Sequence, residues 1–112
     1  MKHWQEQRSR RQALLERELE RIVQVLRQVG VQSIILFGSA ARDDVSAWSD
    51  LDLIVVLHSE LPFIKRLGVL YERIQPRVGL DLLAYTPEEF DAIRERPFLR
   101  QAVQEGRVLY EA

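Results

Sequence analysis

The sequence predicts an α+β fold in which helices pack on a small mixed β-sheet, in the order α-β-α-β-α-β-α. Two observations support this prediction. Short apolar runs alternate with segments whose apolar residues recur every three or four positions, which is typical of strands alternating with helices. The run 51–57 is apolar on both faces, which indicates a central strand covered on both sides. The 112 residues are expected to form a single domain, 1–112.

The composition excludes several classes of protein. A formal net charge of −1 argues against a general nucleic-acid binder, so no direct nucleic-acid binding is expected. The chain contains no cysteine, which excludes disulfides and thiolate chemistry. It has no apolar run of about 18 residues and no signal-like leader, so we expect no membrane span and a cytoplasmic protein.

The first predicted element is a helix over about residues 9–29, preceded by a frayed polar segment, 1–8. Its apolar residues form a narrow stripe along one face, and Gly30 is a natural stop. The stripe consists of Leu15, Leu19, Ile22, Leu26 and Val29. In one interpretation the stripe packs on the sheet. In the other, part of the helix, with Val23, Val25 and its basic face, binds a partner protein.

A strand followed by a tight turn comes next. Residues 34–37 are expected to form a buried strand that stops at Gly38. Ser39 is expected to cap the following helix, which Ala40 and Ala41 favour. Such a turn directs several free backbone N–H groups and the positive end of a helix toward one point, which suits an anion such as phosphate.

Proline and capping residues indicate the later elements. Pro62 is expected in the first turn of a helix. Thr86 is expected to cap another helix, which Pro97 ends. A short helix over about 98–104 and a candidate terminal strand at 107–110 complete the chain.

Three aspartates are the candidate metal ligands. Asp50 and Asp52 begin the second strand, and because side chains alternate along a strand they should share one face, with Cα atoms about 7 Å apart. Asp81 lies within the third predicted strand, 78–84, where an uncompensated carboxylate would be costly.

Asp81 has two explanations. Either it pairs with a structural partner such as Arg42 or Arg77, or the second and third strands are neighbours and the three aspartates converge on a divalent cation. Carboxylate oxygens with no histidine or cysteine nearby suit Mg²⁺ or Mn²⁺.

The segments LFGSAAR (36–42) and SDLDL (49–53), with Asp81 on a later strand, resemble the nucleotidyltransferase fold shared with DNA polymerase β. Within that superfamily, the short chain and these motifs resemble the minimal nucleotidyltransferases, which are commonly paired with HEPN-domain proteins in toxin–antitoxin modules. The resemblance covers about residues 31–89. A Walker P-loop is excluded, because no Gly-Lys-Ser/Thr follows the turn.

The resemblance implies a role for each of these residues. Gly38 would let the backbone approach a nucleoside triphosphate, and Ser39 would bind its outer phosphates. Asp50 and Asp52 would hold two Mg²⁺ or Mn²⁺ ions. Asp81 would ligate one ion and accept the proton of the acceptor. The implied reaction transfers a nucleoside monophosphate, most plausibly AMP from ATP, to a hydroxyl, which in the paired families can be a tyrosine of the HEPN partner.

One departure from the family pattern concerns Arg42, which family members often follow with glycine. Here Asp43 and Asp44 follow, and their charges would either weaken nucleotide binding or point to solvent. Arg42 itself would either bind phosphate or neutralise the carboxylate cluster. Trp48 would either stack on the base or cover an apolar edge.

Three functions are compatible with the sequence. The first is a Mg²⁺-dependent nucleotidyltransferase acting on a partner protein, because the roughly 28 residues after the third strand are too few for an acceptor-binding domain. The second is a catalytically silent binding module of the same fold, which Asp43 and Asp44 favour. The third is a small-molecule nucleotidyltransferase, for example one acting on an aminoglycoside. The sequence leaves the oligomeric state open.

Overall fold

The computed structural model of the protein describes residues 2–45 and 49–112 and confirms an α+β architecture. None of the helices within these ranges is long and apolar enough to cross a membrane. In chain order, the elements are α1 (Lys2–Val29), β1 (Ser33–Phe37), α2 (Gly38–Ala41), β2 (Leu51–Val56), α3 (Phe63–Ile74), β3 (Leu80–Tyr85), α4 (Pro87–Ile93), α5 (Pro97–Glu105) and β4 (Arg107–Glu111).

Two boundaries differ from the sequence prediction. α1 begins at Lys2, so the segment expected to fray before residue 9 is helical. Glutamine, glutamate and arginine occupy residues 5–8, and these are good helix formers with no glycine or proline among them. β3 begins at Leu80 rather than Val78, although Gly79 O still accepts a backbone hydrogen bond from β2.

β2 lies inside a four-stranded sheet whose strand order is β3-β2-β1-β4. It pairs antiparallel with β1 and parallel with β3, so the predicted mixed sheet and central strand are confirmed. The candidate terminal strand is confirmed as well, because β4 pairs antiparallel with β1. In the β2–β3 ladder, Asp52 stands directly opposite Asp81.

Helices cover both faces of the sheet. α1 and α3 pack on one face, where Leu26 is fully buried, and α4 and α5 pack on the other, where Leu99 is buried. Three residues of the predicted α1 stripe, Leu15, Ile22 and Leu26, are buried in the first of these cores. The stripe therefore packs on the sheet, as the first interpretation expected.

A buried ion pair attaches α1 to the end of α3. The Glu18 carboxylate accepts hydrogen bonds from Arg21 at 2.7 and 2.9 Å and another from the backbone N–H of Arg77. Arg21 also donates to Ile74 O at 2.8 Å. The hydrogen bonds from Arg21 hold the pKa of Glu18 below its usual range, although burial acts in the opposite direction.

A buried arginine, Arg66, joins α3, β3 and α4. Arg66 donates to Ala84 O at 2.8 Å and to Glu89 Oε1 at 2.6 Å. Glu89 also completes a capping box with Thr86, so the predicted N-cap of α4 is confirmed. These bonds fix α4 on the face of the sheet that carries Asp52 and Asp81.

Candidate active site

Gly38 stands where β1 gives way to α2. Its φ of +74° lies in the left-handed region that favours glycine. A Cβ at this position would also collide with the carboxylate of Asp52. The chain therefore needs glycine here for two reasons: it turns sharply, and its backbone passes directly beside an acidic side chain.

Ser39 does not cap the helix, so that prediction is wrong. The N-cap of α2 is Phe37, which makes no side-chain capping bond, and Gly38 is already the first helical residue. Ser39 therefore lies too far along the helix for its hydroxyl to reach the N–H groups of the first turn. The hydroxyl donates instead to Ser49 Oγ at 3.4 Å, which links α2 to the residue preceding Asp50.

Asp52 and Asp81 are brought side by side by the register of the parallel β2–β3 ladder. Burial, the adjacent Asp81 carboxyl group and the charge of Asp50 raise the pKa of Asp52 to about 6, whereas the charge of Arg42 lowers it. Asp52 therefore retains its proton to a higher pH than an isolated, exposed aspartate would.

Asp50 precedes β2 by one residue and has different partners. Its carboxylate packs over Gly79, where a Cβ would collide with it. Its Oδ1 accepts a hydrogen bond from Arg11 Nη2 at 3.2 Å, while Arg11 Nε donates to Ser49 O at 2.8 Å. Neither Gly79 nor Arg11 is among the site residues predicted from the sequence. A glycine two residues before Asp81 is a weak signal for close backbone approach, and the sequence holds no signal for Arg11.

The donor set fits Mg²⁺ or Mn²⁺ in its chemistry. Asp50, Asp52 and Asp81 supply only carboxylate oxygens, and their mutual repulsion contributes to the raised pKa of Asp52, which a cation would relieve. In the ranges 2–45 and 49–112, however, no three acidic, histidine or cysteine side chains are close enough to hold one ion together. The structure joins Asp52 to Asp81 and leaves Asp50 paired with Arg11.

Arg42 leaves these carboxylates accessible. Its guanidinium lies 3.6 Å from Glu105 on α5 and is half exposed. Its charge lowers the pKa of Asp52. An arginine that is half exposed and paired at the surface can turn toward another anion at little cost.

The backbone conformation of Asp43 explains how an aspartate can follow Arg42 where family members often have glycine. Its φ is +58°, the left-handed conformation in which glycine is usual at the end of a helix and aspartate is tolerated. Asp43 and Asp44 are both exposed, which agrees with the expectation that they point to solvent. The candidate base-stacking residue Trp48 lies outside the described residues.

A cavity of about 400 Å³ opens beside the Asp52–Asp81 pair. One wall is aromatic: Phe98 on α5 is 61% exposed, and its ring packs edge-on against Phe37 with centroids 5.9 Å apart. The other lining residues are Tyr71, Leu82 and Leu83. An aromatic wall next to two carboxylates can accommodate a flat ring whose reacting group faces the acids.

Comparison with known proteins agrees with this geometry. Residues 16–110 match the family described as nucleotidyltransferase domain. A protein of Methanocaldococcus jannaschii, provisionally named protein adenylyltransferase MJ0604, is 31% identical over 80 residues, which cover 71% of this chain and 79% of that protein.

Three solved structures are similar in fold. A provisionally named nucleotidyltransferase from Sulfolobus solfataricus has a TM-score of 0.67 at 18% identity, covering 94% of this chain and 87% of that one. A toxin–antitoxin structure with AMP-PNP has a TM-score of 0.56 at 25% identity, covering 83% and 73%. A mutant of the toxin–antitoxin MntA–HpeT has a TM-score of 0.53 at 25% identity, covering 83% and 72%.

These matches test the fold and the family resemblance that the sequence predicts. The family match runs from Glu16 in α1 to Tyr110 in β4, so it includes every site residue that the sequence predicts. The predicted fold and the resemblance to minimal nucleotidyltransferases are confirmed. The chain belongs to the nucleotidyltransferase domain family.

Proposed function

We propose that the protein is a Mg²⁺- or Mn²⁺-dependent adenylyltransferase that transfers AMP from ATP to a hydroxyl group of a partner protein. The observation that carries this proposal is the Asp52–Asp81 pair, which stands beside Gly38 at the mouth of a cavity. The choice of nucleotide and acceptor is supported by the provisional name of the archaeal relative and by the AMP-PNP, an ATP analogue, in a similar toxin–antitoxin structure.

The turn after β1 binds the triphosphate in this proposal. Gly38 lets the backbone approach closely because it has no side chain, and the Ser39 hydroxyl exchanges its bond with Ser49 for one to an outer phosphate oxygen. Arg42, half exposed on the next turn, exchanges Glu105 for the same phosphates.

The three aspartates hold the metal ions in this proposal, with Asp50 joining Asp52 and Asp81. An ion held there would supply positive charge to the α-phosphate and to the pyrophosphate leaving group. The apolar residues that line the cavity, among them Phe98 and Leu83, limit the access of water to the reacting groups.

Asp81, the exposed member of the pair, accepts the proton of the acceptor hydroxyl. The hydroxyl oxygen forms a bond to the α-phosphorus while the bond from that phosphorus to the pyrophosphate oxygen breaks. The products are a phosphodiester between AMP and the acceptor, and pyrophosphate.

We further propose that the acceptor belongs to a HEPN-type toxin, which makes this protein its antitoxin, and that both act in the cytoplasm. Two of the similar solved structures are toxin–antitoxin complexes. In the part of the chain that the structure describes, α4 and α5 pack on the sheet and β4 joins it, so none of these three elements is an acceptor-binding unit.

The test is transfer of label from [α-³²P]ATP with Mg²⁺ to the toxin encoded beside this protein. We expect covalently retained label on the toxin, its loss with Asp52→Asn, and its retention with Asp91→Asn. Asp91 is a matched control because it is an exposed aspartate on α4 outside the cavity. A stable complex with no label transfer would contradict the proposal.

A catalytically silent binding module is the second candidate, and the pairing of Asp50 with Arg11 favours it, because Asp50 is then not joined to the other two aspartates. This candidate predicts that Asp52→Asn neutralises the toxin in cells as well as the unchanged protein does. The adenylyltransferase proposal predicts that the same variant fails to neutralise it.

A further inference from the structure

The contact between Arg11 and Asp50 suggests how the metal affinity of the site is set. Building on the proposed function, we infer that Arg11 is a positioning residue that holds the Asp50 carboxylate apart from Asp52 and Asp81 and thereby weakens cation binding. Metal loading then requires Asp50 to exchange Arg11 for the ion.

The contact is specific to one residue of the site. The Arg11 guanidinium bonds to the Asp50 carboxylate at 3.2 Å and to the backbone carbonyl just before it, Ser49 O, at 2.8 Å. The Arg11 side chain is only 20% exposed, whereas that of Asp50 is 53% exposed. Because the cation is the more buried partner, its field is less screened by solvent than that of an ordinary surface arginine.

The backbone of Asp50 is fixed without Arg11. The next residue, Leu51, donates its N–H to Gly79 O at 3.0 Å and begins the β2–β3 ladder. Arg8, one turn earlier on α1, donates to Val45 O at 3.2 Å in the same connection between α2 and β2. Removal of the Arg11 guanidinium therefore frees the carboxylate of Asp50 far more than it displaces the backbone.

Two electrostatic effects then favour the ion. Loss of Arg11 removes a positive charge that repels a divalent cation. It also leaves the Asp50 carboxylate without its counter-ion, so that the carboxylate is available to the metal ion. For a single charge near a partly solvated site, we expect an effect on the order of tenfold in affinity. Loss of Arg11 is therefore expected to strengthen metal binding. Loss of a residue that only supports a metal ligand would weaken it.

The experiment is a titration of the nucleotide-free protein with Mn²⁺, in which electron paramagnetic resonance measures free Mn²⁺. Omitting ATP excludes any effect of Arg11 on phosphate binding. We expect Arg11→Gln to bind Mn²⁺ about tenfold more tightly than the unchanged protein. Arg11→Lys, which keeps the charge but lacks the forked donors, should bind more tightly by a smaller factor. The matched control is Arg8→Gln, which loses the same charge from the same helix without touching Asp50, and it should leave the affinity nearly unchanged.

Equal or weaker Mn²⁺ binding by Arg11→Gln would overturn the inference while leaving the proposed function intact, and so would an equal gain in Arg8→Gln. Thermal unfolding checks that each variant is folded. Should Arg11→Gln not fold, Arg11→Lys decides the question, and unchanged or weaker binding there counts against the inference. Absence of Mn²⁺ binding by the unchanged protein and by every variant would overturn the metal site, and the inference with it.

Discussion

Glu18 and Asp52 are both acidic side chains removed from bulk solvent, yet the fold treats them in opposite ways. Glu18 accepts bonds from Arg21 and from a backbone N–H, and its pKa is lowered. Asp52 faces a second carboxyl group, Asp81, and its pKa is raised to about 6. The charge of Glu18 is balanced by Arg21 and a backbone N–H, whereas Asp52 lies beside another acidic group.

The difference separates a structural role from a functional one. A buried carboxylate with matched donors fixes two helices in place, as Glu18 does between α1 and the end of α3. Two like charges placed side by side destabilise the fold unless a ligand compensates them, and such perturbed groups cluster at functional sites. Changing each acid to its amide should therefore give opposite results for activity and stability.

The largest expected effect is the loss of transfer activity in the double variant Asp50→Asn, Asp52→Asn. Because both residues are proposed metal ligands, we expect label transfer to fall by a factor on the order of 10³ or more. For the single variant Asp52→Asn, the free energy of unfolding measured with urea should be unchanged or higher, because repulsion from Asp81 and Asp50 is relieved while the Arg11–Asp50 pair is kept. Transfer at the original rate would count decisively against the metal assignment.

Glu18→Gln should lower the free energy of unfolding and leave label transfer unchanged. Loss of the carboxylate leaves the partly buried Arg21 without its counter-ion, so the free energy of unfolding should fall by about 2 kcal/mol. Glu20→Gln, at an exposed position on the same helix, is the control and should change stability by less than about 0.5 kcal/mol. Equal stability of the two variants would mean that the Glu18 pair contributes nothing to holding α1.

The same comparison can be made by varying pH. Because the folded-state pKa of Glu18 is below its ordinary value of 4.5, its contribution is complete above that pH and is lost as the pH falls through the lower folded-state pKa. The stability difference between the unchanged protein and Glu18→Gln should therefore shrink when urea unfolding is repeated at successively lower pH below 4.5. A difference that stays constant would show that Glu18 acts through its shape and not through its charge.

The smallest effect concerns the left-handed residue Asp43. Asp43→Gly should preserve or slightly raise stability, because glycine adopts φ near +58° without strain, whereas Asp43→Ala should lower it by about 1 kcal/mol. Neither change should lower label transfer in the folded protein. A large gain of transfer in Asp43→Gly would show instead that the aspartate charge weakens nucleotide binding.

The sequence predicts much of the fold because the signals are local. The apolar run of β2 indicates a central strand, and Thr86 with Glu89 indicates the start of α4 through a capping box whose partners lie three residues apart. The pairing of Asp52 with Asp81 follows once β2 and β3 are placed side by side.

The errors and omissions arise where tertiary structure overrides a local pattern. Ser39 follows a strand in a good capping context, but the helix begins one residue earlier, at Gly38, and its hydroxyl bonds to Ser49. Arg11 is one of several arginines on α1, and only the folded chain selects it as the partner of a residue 39 positions away. No spacing rule in the sequence carries that information.

The most direct test of the account is a crystal structure of the protein with Mn²⁺ and AMP-PNP, with the metal located by its anomalous scattering. The account predicts a peak coordinated by both Asp52 and Asp81, with the outer phosphates lying against the Gly38–Ser39 turn. Bound AMP-PNP with no metal peak at these two carboxylates, or with its phosphates elsewhere on the surface, would contradict it.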